Sequence, residues 1–445
     1  MRFRFSLPDT VNNPASLVGM GIATAAAALF LVLSLLETFG FLVNPYLGLL
    51  VFVTLPVVFL AGLVLIPLGA WRTARRRRLR PGASDWPVID LRNPRQRTVA
   101  GAVLALTFAN VVIVSLAAYG GVHYMESAAF CGQVCHTTME PEFEAHQAWP
   151  HARLACAECH VGPGAGSFVE SKLAGTRQLY KLVRGDVPRP IPTPIRALGR
   201  PSETCGQCHA DDLSRGGVLR EIREYEEDEG SNELLTTLHL QVGGPERGIH
   251  RHVGLDIEYV TTDARRETIP YVRVTDAAGG RREFTSPGVT PEDIAGGERR
   301  RMDCLDCHNR PAHTFDFSPQ RAVDAAIARG QISRELPFIR REAVAAVAEA
   351  YPDRAAALEA IAERLNGFYA AQRGTDPAQL AGAVASVQGV WGRNVFPRMR
   401  VTWGTYPNHL GHVDTPGCFR CHDDDHRTPE GTSISQDCEL CHSFN

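Results

Sequence analysis

Lysine is nearly missing from this chain: arginine supplies all but two of the 46 basic residues, the exceptions being Lys172 and Lys181. Methionine occurs only six times and histidine sixteen times in 445 residues, so either one beside a motif carries information. No cysteine stands alone; all twelve fall in close pairs. Charge is missing from three stretches, 15–36, 47–69 and 98–122. About 20 apolar residues suffice to cross a bilayer as helix, so three membrane spans are predicted. The first is longer than the apolar region of a signal peptide, about 7–15 residues, and two more spans follow it. Asn44-Pro45 reads as a turn joining the first two spans in a hairpin.

Arginine sets the expected orientation. Residues 71–98 hold nine arginines, including Arg75 to Arg78, against Asp85 and Asp90. Short arginine-rich loops stay cytoplasmic. With Arg2 and Arg4 on the same side of the inner membrane, three crossings deliver the chain beyond about Tyr119 to the periplasm. A basic run can also bind nucleic acid, but between two spans it reads as an orientation signal, and no nucleic-acid partner is expected.

Histidine follows the second cysteine of every pair. Five pairs read CxxCH: Cys156/Cys159/His160, Cys205/Cys208/His209, Cys304/Cys307/His308, Cys418/Cys421/His422 and Cys438/Cys441/His442. The first is one residue longer, Cys131-Gly-Gln-Val-Cys135-His136. A disulfide framework has no reason to place histidine there, and zinc ribbons use cysteine pairs in twos and leave that histidine free. The pattern is the attachment signature of c-type haem, in which two thiols take the vinyl groups and the adjacent imidazole ligates iron. Six covalently bound haems are expected, on the side that loop charge independently assigns. Beyond residue 120 the chain is acidic, at −10 within a whole-chain charge of −3. A soluble redox partner with a basic docking face is therefore predicted, since complementary fields speed encounter.

Two long segments separate the motifs. Residues 216–300 alternate as strands do in 255–260, 269–274 and 281–284, which predicts two or three antiparallel strands with a turn at Gly279-Gly280. Residues 319–393 are alanine-rich with helical spacing, punctuated by Gly330, Pro337, Pro352 and Gly367, which predicts two or three short helices. The expected fold is a mainly α multihaem cytochrome with three N-terminal transmembrane helices and a haem-packed extracytoplasmic domain bearing a small antiparallel β insert and a helical insert. Its expected parts are a two-span hairpin (1–70), a basic cytoplasmic loop (71–97), the third span (98–122), haems one to three (123–215), the β insert (216–300), haem four (301–318), the helical insert (319–400) and haems five and six (401–445). With little ordinary core, the part outside the membrane is expected to fold only when haem is attached, as metal sites couple to folding.

Ten histidines lie outside the motifs. His151, His313, His412 and His426 each lie within six residues of a motif and are candidate axial ligands. His252 is a fifth. In an extended chain His250 would point to the same side, so one of the two would reach a given iron. Bis-histidine iron transfers electrons with little rearrangement, whereas an open position invites substrate. Met139, three residues after His136, is a candidate thioether ligand that would raise the first haem's potential.

From Phe130 to Glu142 and from Pro150 to His160 the chain resembles the NapC/NirT family of membrane-anchored multihaem cytochromes c. With Ile249-His250-Arg251-His252, Met302 to Pro311 and Pro416 to His422, it is also similar to inner-membrane cytochromes of metal-respiring bacteria. The resemblance implies anaerobic respiration in which electrons pass from quinol in the membrane to periplasmic acceptors. It also implies a quinol site at the first haem, beside a methionine close behind the first motif and a lysine after the second. Met139 and Lys172 occupy those places. The longer first motif and the gap from His136 to Met139 depart from the shorter members' pattern, leaving His136 and Met139 as alternative ligands of the first iron. A lysine ammonium can exchange a proton with a quinone oxygen, which a guanidinium cannot.

The expected function is oxidation of menaquinol, or another quinol of the membrane pool, with relay of electrons through six haems. Two alternatives come from other classes: a terminal reductase of a small anion at an open haem, and a passive relay subunit fed by a neighbouring membrane protein.

Overall fold

The computed structural model describes residues 13–38, 50–78, 92–134, 136–161, 165–194, 201–209, 216–243, 248–276 and 278–444. It divides into two compact units, Met1–Cys135 and His136–Asn445.

In the first unit, helices α1 (Pro14–Thr38), α2 (Leu55–Arg78) and α3 (Pro94–Glu126) carry the apolar stretches, and each is long and apolar enough to cross a bilayer. Lipid tails are as apolar as leucine, so close packing rather than the hydrophobic effect must join such helices. Small residues provide it. A Cβ on Gly19 would lie 2.7 Å from the Gly62 carbonyl oxygen, and one on Gly62 would lie 2.7 Å from the Ala23 nitrogen. The Ser16 hydroxyl donates to the Ile66 carbonyl at 2.9 Å. Phe30, Val51, Leu55 and Ala117 join α1, the π-helical turn Leu50–Thr54, α2 and α3 in one cluster. The basic segment starts and ends as helix, with Arg75 to Arg78 closing α2 and Pro94 opening α3. The Asn44-Pro45 turn lies outside the described residues.

In the second unit, α4 (His136–Gln147) and α5 (Ala165–Arg184) follow the first and second motifs. The alternating segment holds more strands than predicted: β1 (Val218–Tyr225), β2 (Glu233–Leu240), β3 (Asp256–Thr261), β4 (Tyr271–Thr275), β5 (Arg281–Thr285) and β6 (Glu298–Arg301). With β7 (His442–Phe444) they form two antiparallel sheets, ordered β1-β2-β7 and β5-β4-β3-β6. The predicted Gly-Gly turn joins β4 to β5. The Asp276 carboxylate accepts there from the Ala278 and Gly280 amides at 3.0 and 2.8 Å, and Gly279 has φ +82°.

Residues 319–394 fold as four helices, α6 (Pro319–Ala328), α7 (Ile339–Ala348), α8 (Arg354–Ala370) and α9 (Pro377–Asn394). The last two are long, at 17 and 18 residues. Ser318, Asp353 and Asp376 cap three of the four by accepting from backbone amides. Gly367, expected to break a helix, sits inside α8 with open space beside it. Its cost of about 1 kcal/mol is outweighed by neighbours such as Leu365 and Tyr369, which are buried with Ile339, Val347, Ile361 and Trp391. This segment therefore has an ordinary hydrophobic core, contrary to the expectation that haem supplies the core throughout.

Candidate haem-binding sites

Several motifs open as a single helical turn. The His308 amide donates to the Cys304 carbonyl at 2.8 Å, His422 to Cys418 at 3.0 Å and His209 to Cys205 at 2.9 Å, so first cysteine and histidine stand one turn apart. Asp303 and Asp437 start two of these turns as N-caps, accepting from the Leu305 and Glu439 amides at 2.8 and 3.0 Å. Gly417, with φ +49°, precedes Cys418 because any Cβ there would collide with the Gly411 carbonyl.

A second histidine stands opposite each of five motif histidines. Ring centroids are 6.1 Å apart for His160 and His313, 6.2 Å for His209 and His151, 6.4 Å for His308 and His250, 5.8 Å for His422 and His252, and 6.2 Å for His442 and His412. Two metal–imidazole bonds of about 2 Å, plus half a ring on each side, place centroids roughly 6 Å apart. Cys159, Cys205, Cys208, Cys304, Cys307, Cys418, Cys421, Cys438 and Cys441 form no disulfide. Among the described residues, no three His, Cys, Asp or Glu side chains converge as a bare metal ion would need. Paired imidazoles above unbridged thiols are a donor set that fits haem.

The backbone orients several of these rings. Nδ1 donates to a carbonyl in His151 (Pro311, 3.0 Å), His252 (Ile249, 2.6 Å), His313 (Glu142, 2.9 Å) and His422 (Ser435, 2.8 Å). Nε2 is then the nitrogen available to a metal. Burial pushes His313 down to about 4 and lowers His160, His252 and His308 as well, which favours the neutral ring that ligation requires. Glu142 is itself raised by burial and drawn back by Arg310, whose guanidinium lies 2.8 Å away and also donates to the His313 carbonyl at 2.6 Å.

Three placements differ from the sequence reading. His250 and His252 stand beside different motif histidines, because Arg251–Gly254 is a helical turn rather than extended chain. His426 is buried, with Nδ1 2.9 Å from the Asp423 carboxylate and Nε2 2.6 Å from the Ile269 carbonyl and 3.0 Å from the Ser286 hydroxyl. His146, which carried no sequence signal, is buried with its ring 5.9 Å from that of His313. Met139 lies half-buried on α4 and Lys172 half-buried on α5. Cys135 and the His136 side chain lie outside the described residues.

Residues 93–190 match the model of the NapC/NirT cytochrome c family, N-terminal region. An alignment covering 97% of this chain and 88% of the other is 40% identical to the cytochrome c-type protein ImcH of Geobacter sulfurreducens. The chain belongs to the NapC/NirT cytochrome c family. No solved structure matches it. As a NapC/NirT cytochrome it carries covalently bound haem, transfers electrons in a quinol-linked chain and is anchored in the inner membrane by its apolar helices.

In this NapC/NirT cytochrome motifs two to six are neighbours in chain order. Burial raises the thiols of Cys159 and Cys205, and the adjacent thiols Cys208 and Cys304, respectively, add to it. Burial likewise pushes Cys307 up to about 11, with Cys418 contributing, and raises Cys441, again with Cys418 beside it. Motifs two to six thus follow one another in space as in sequence.

Proposed function

We propose that the chain is a hexahaem quinol dehydrogenase that passes electrons to a periplasmic acceptor. The observation that carries the reading is the set of five histidine pairs, each 5.8–6.4 Å between ring centroids. Haem supplies reversible one-electron chemistry at each site. The residues supply its two anchoring thiols and two imidazoles: His160 with His313, His209 with His151, His308 with His250, His422 with His252 and His442 with His412. His426, already hydrogen-bonded through both ring nitrogens, is left out of this set. The first haem would be held by Cys131 and Cys135, with His136 or Met139 as a ligand of its iron.

Quinol is oxidised at the first haem, where Lys172 takes part in proton exchange and Met139 lies close behind the motif. The N-terminus is cytoplasmic and the haem domain periplasmic, as the arginines of 71–97 support. Motifs two to six then form a relay toward an electropositive soluble partner. Five histidine pairs would leave no open iron at five of the haems, which speaks against a terminal reductase.

A menaquinol analogue added to the purified, lipid-reconstituted protein is expected to reduce all haems, while carbon monoxide shifts the spectrum of one haem at most. Inertness to quinol would leave a passive relay, and carbon monoxide binding to several haems would favour a reductase.

A further inference from the structure

We propose that α5 is a membrane-surface helix whose exposed apolar stripe enters the headgroup region of an acidic phospholipid bilayer while its cations meet the lipid phosphates. The inference rests on the chain being membrane-anchored and is independent of the quinol reading.

An amphipathic helix on a soluble domain turns its apolar stripe inward. In α5 the half-buried positions include Ser171 and Ala174, whereas Val169, Leu173, Leu179, Tyr180 and Val183 are each more than half exposed, Val183 at 80%. Positions 169, 173, 176, 180 and 183 recur every three or four residues and line one face. Leu179 sits beside them. Along one flank of this stripe run the exposed Arg177, Lys181 and Arg184, and the whole helix holds four cations against Glu170 alone. The Arg184 guanidinium packs 5.5 Å from the Tyr180 ring centroid and donates to its hydroxyl at 3.0 Å, joining the charged flank to the apolar stripe. An exposed apolar face bordered by cations is the pattern of helices that lie in the plane of a bilayer. The lipid is within reach by chain connection, since α3 ends at Glu126 and α5 begins at Ala165. Lipid phosphate matches the cationic border as the acyl chains match the apolar stripe.

The test uses the full-length, haem-loaded chain in nanodiscs of mixed phosphatidylglycerol and phosphatidylcholine with a trace of phospholipid bearing a photoreactive diazirine near the glycerol. After illumination, peptide mass spectrometry is expected to find lipid adducts on 165–184 as well as on α1 to α3, the spans confirming insertion and photochemistry. The Arg177→Glu/Lys181→Glu variant is expected to lose about fivefold or more of the adducts on this segment relative to the spans, since each cation near an acidic surface contributes about that factor. Adducts confined to the spans would overturn the proposal. So would labelling indifferent to the charge reversal.

Discussion

The Arg420 guanidinium, inside the fifth motif, donates to the Asp306 backbone carbonyl, inside the fourth, at 2.6 Å. The same guanidinium reaches the Gly417 and Arg266 carbonyls, each at 2.8 Å, while the Asp306 carboxylate accepts from Tyr259 at 2.5 Å and lies 3.6 Å from Arg266. All of these side chains are buried. The residues between the cysteines of two motifs therefore clamp those motifs together. Breaking such a network strands buried partners and costs about 3–5 kcal/mol. Arg420→Met is expected to lower the thermal midpoint of the haem-loaded protein by several degrees, followed at the Soret band. Arg420→Lys keeps the charge but not the planar fork and is expected to recover only part of the loss. A midpoint equal to the parent's in both variants would remove the clamp from the account.

His250 and His252 are proposed to serve two irons, so each should be separable by spectroscopy. His250→Ala and His252→Ala are each expected to turn one low-spin haem high-spin in electron-spin spectra, and the double variant two. His426→Ala is expected to leave every iron low-spin and to cost about 1–3 kcal/mol of stability through its lost hydrogen bonds. A high-spin signal from the His426 variant would return it to the ligand set.

Lys172→Arg preserves charge and helix propensity but replaces an ammonium that can exchange a proton with a guanidinium that cannot. Quinol oxidation is expected to fall about a hundredfold, the range of a lost general acid or base. Haem spectra and potentials are expected to stay as they were. Undiminished turnover with quinol would place the proton exchange elsewhere.

His409 gives a pH dependence with a definite sign. It is buried beside Arg420 and Arg266, and neither ring nitrogen makes a well-formed hydrogen bond among the described residues, although the Asp306 backbone lies nearby. Burial, then the two arginines, pushes it down from 6.5 to about 4. The unfolded chain therefore takes the proton first. The stability this represents is fully present above about pH 6.5 and is lost as pH falls toward 4, amounting to about 3 kcal/mol at most. His409→Gln is expected to flatten the decline in thermal midpoint between pH 7 and pH 5. An identical decline in parent and variant would assign the acid sensitivity to other groups.

The four-helix segment buries Ile361, Leu365 and Trp391 without help from any haem motif residue. Chain produced without haem attachment is expected to keep the α6–α9 helical signal and to melt cooperatively. Leu365→Ala, which opens a cavity in that core, is expected to cost about 2–5 kcal/mol. Loss of all helical signal outside the spans in haem-free material would restore the view that haem carries the whole fold.

The attachment motifs and the spans were legible because each is fixed by local chemistry: a tethered macrocycle sets the Cys-to-His spacing, and bilayer thickness sets helix length. Pairing was less legible. His313 and His160 are separated by more than 150 residues in sequence yet lie ring to ring, and nothing local announces such a partner. Proximity to a motif selected His151, His313 and His412, whose rings stand beside motif histidines, and also His426, whose ring nitrogens instead meet the Asp423 carboxylate and the Ile269 carbonyl. His250 was set aside because the chain before β3 was read as extended; one helical turn there is enough to place the two rings beside different motif histidines. The β1–β2 hairpin escaped notice because most of its residues are exposed, so there is no buried face to impose alternation. Gly367 shows the reverse, a helix breaker overruled by the core around it.

The turn that carries His250 and His252 is fastened by the Ile249 and His250 amides, which donate to the Gln241 and Val242 carbonyls, each at 2.9 Å. If each ring ligates an iron as proposed, one short peptide spaces two redox stations, and their separation is tied to a single turn. Selection acting on this pair cannot adjust their separation piecemeal. Any difference in driving force between the two stations has to be written by the groups around each ring.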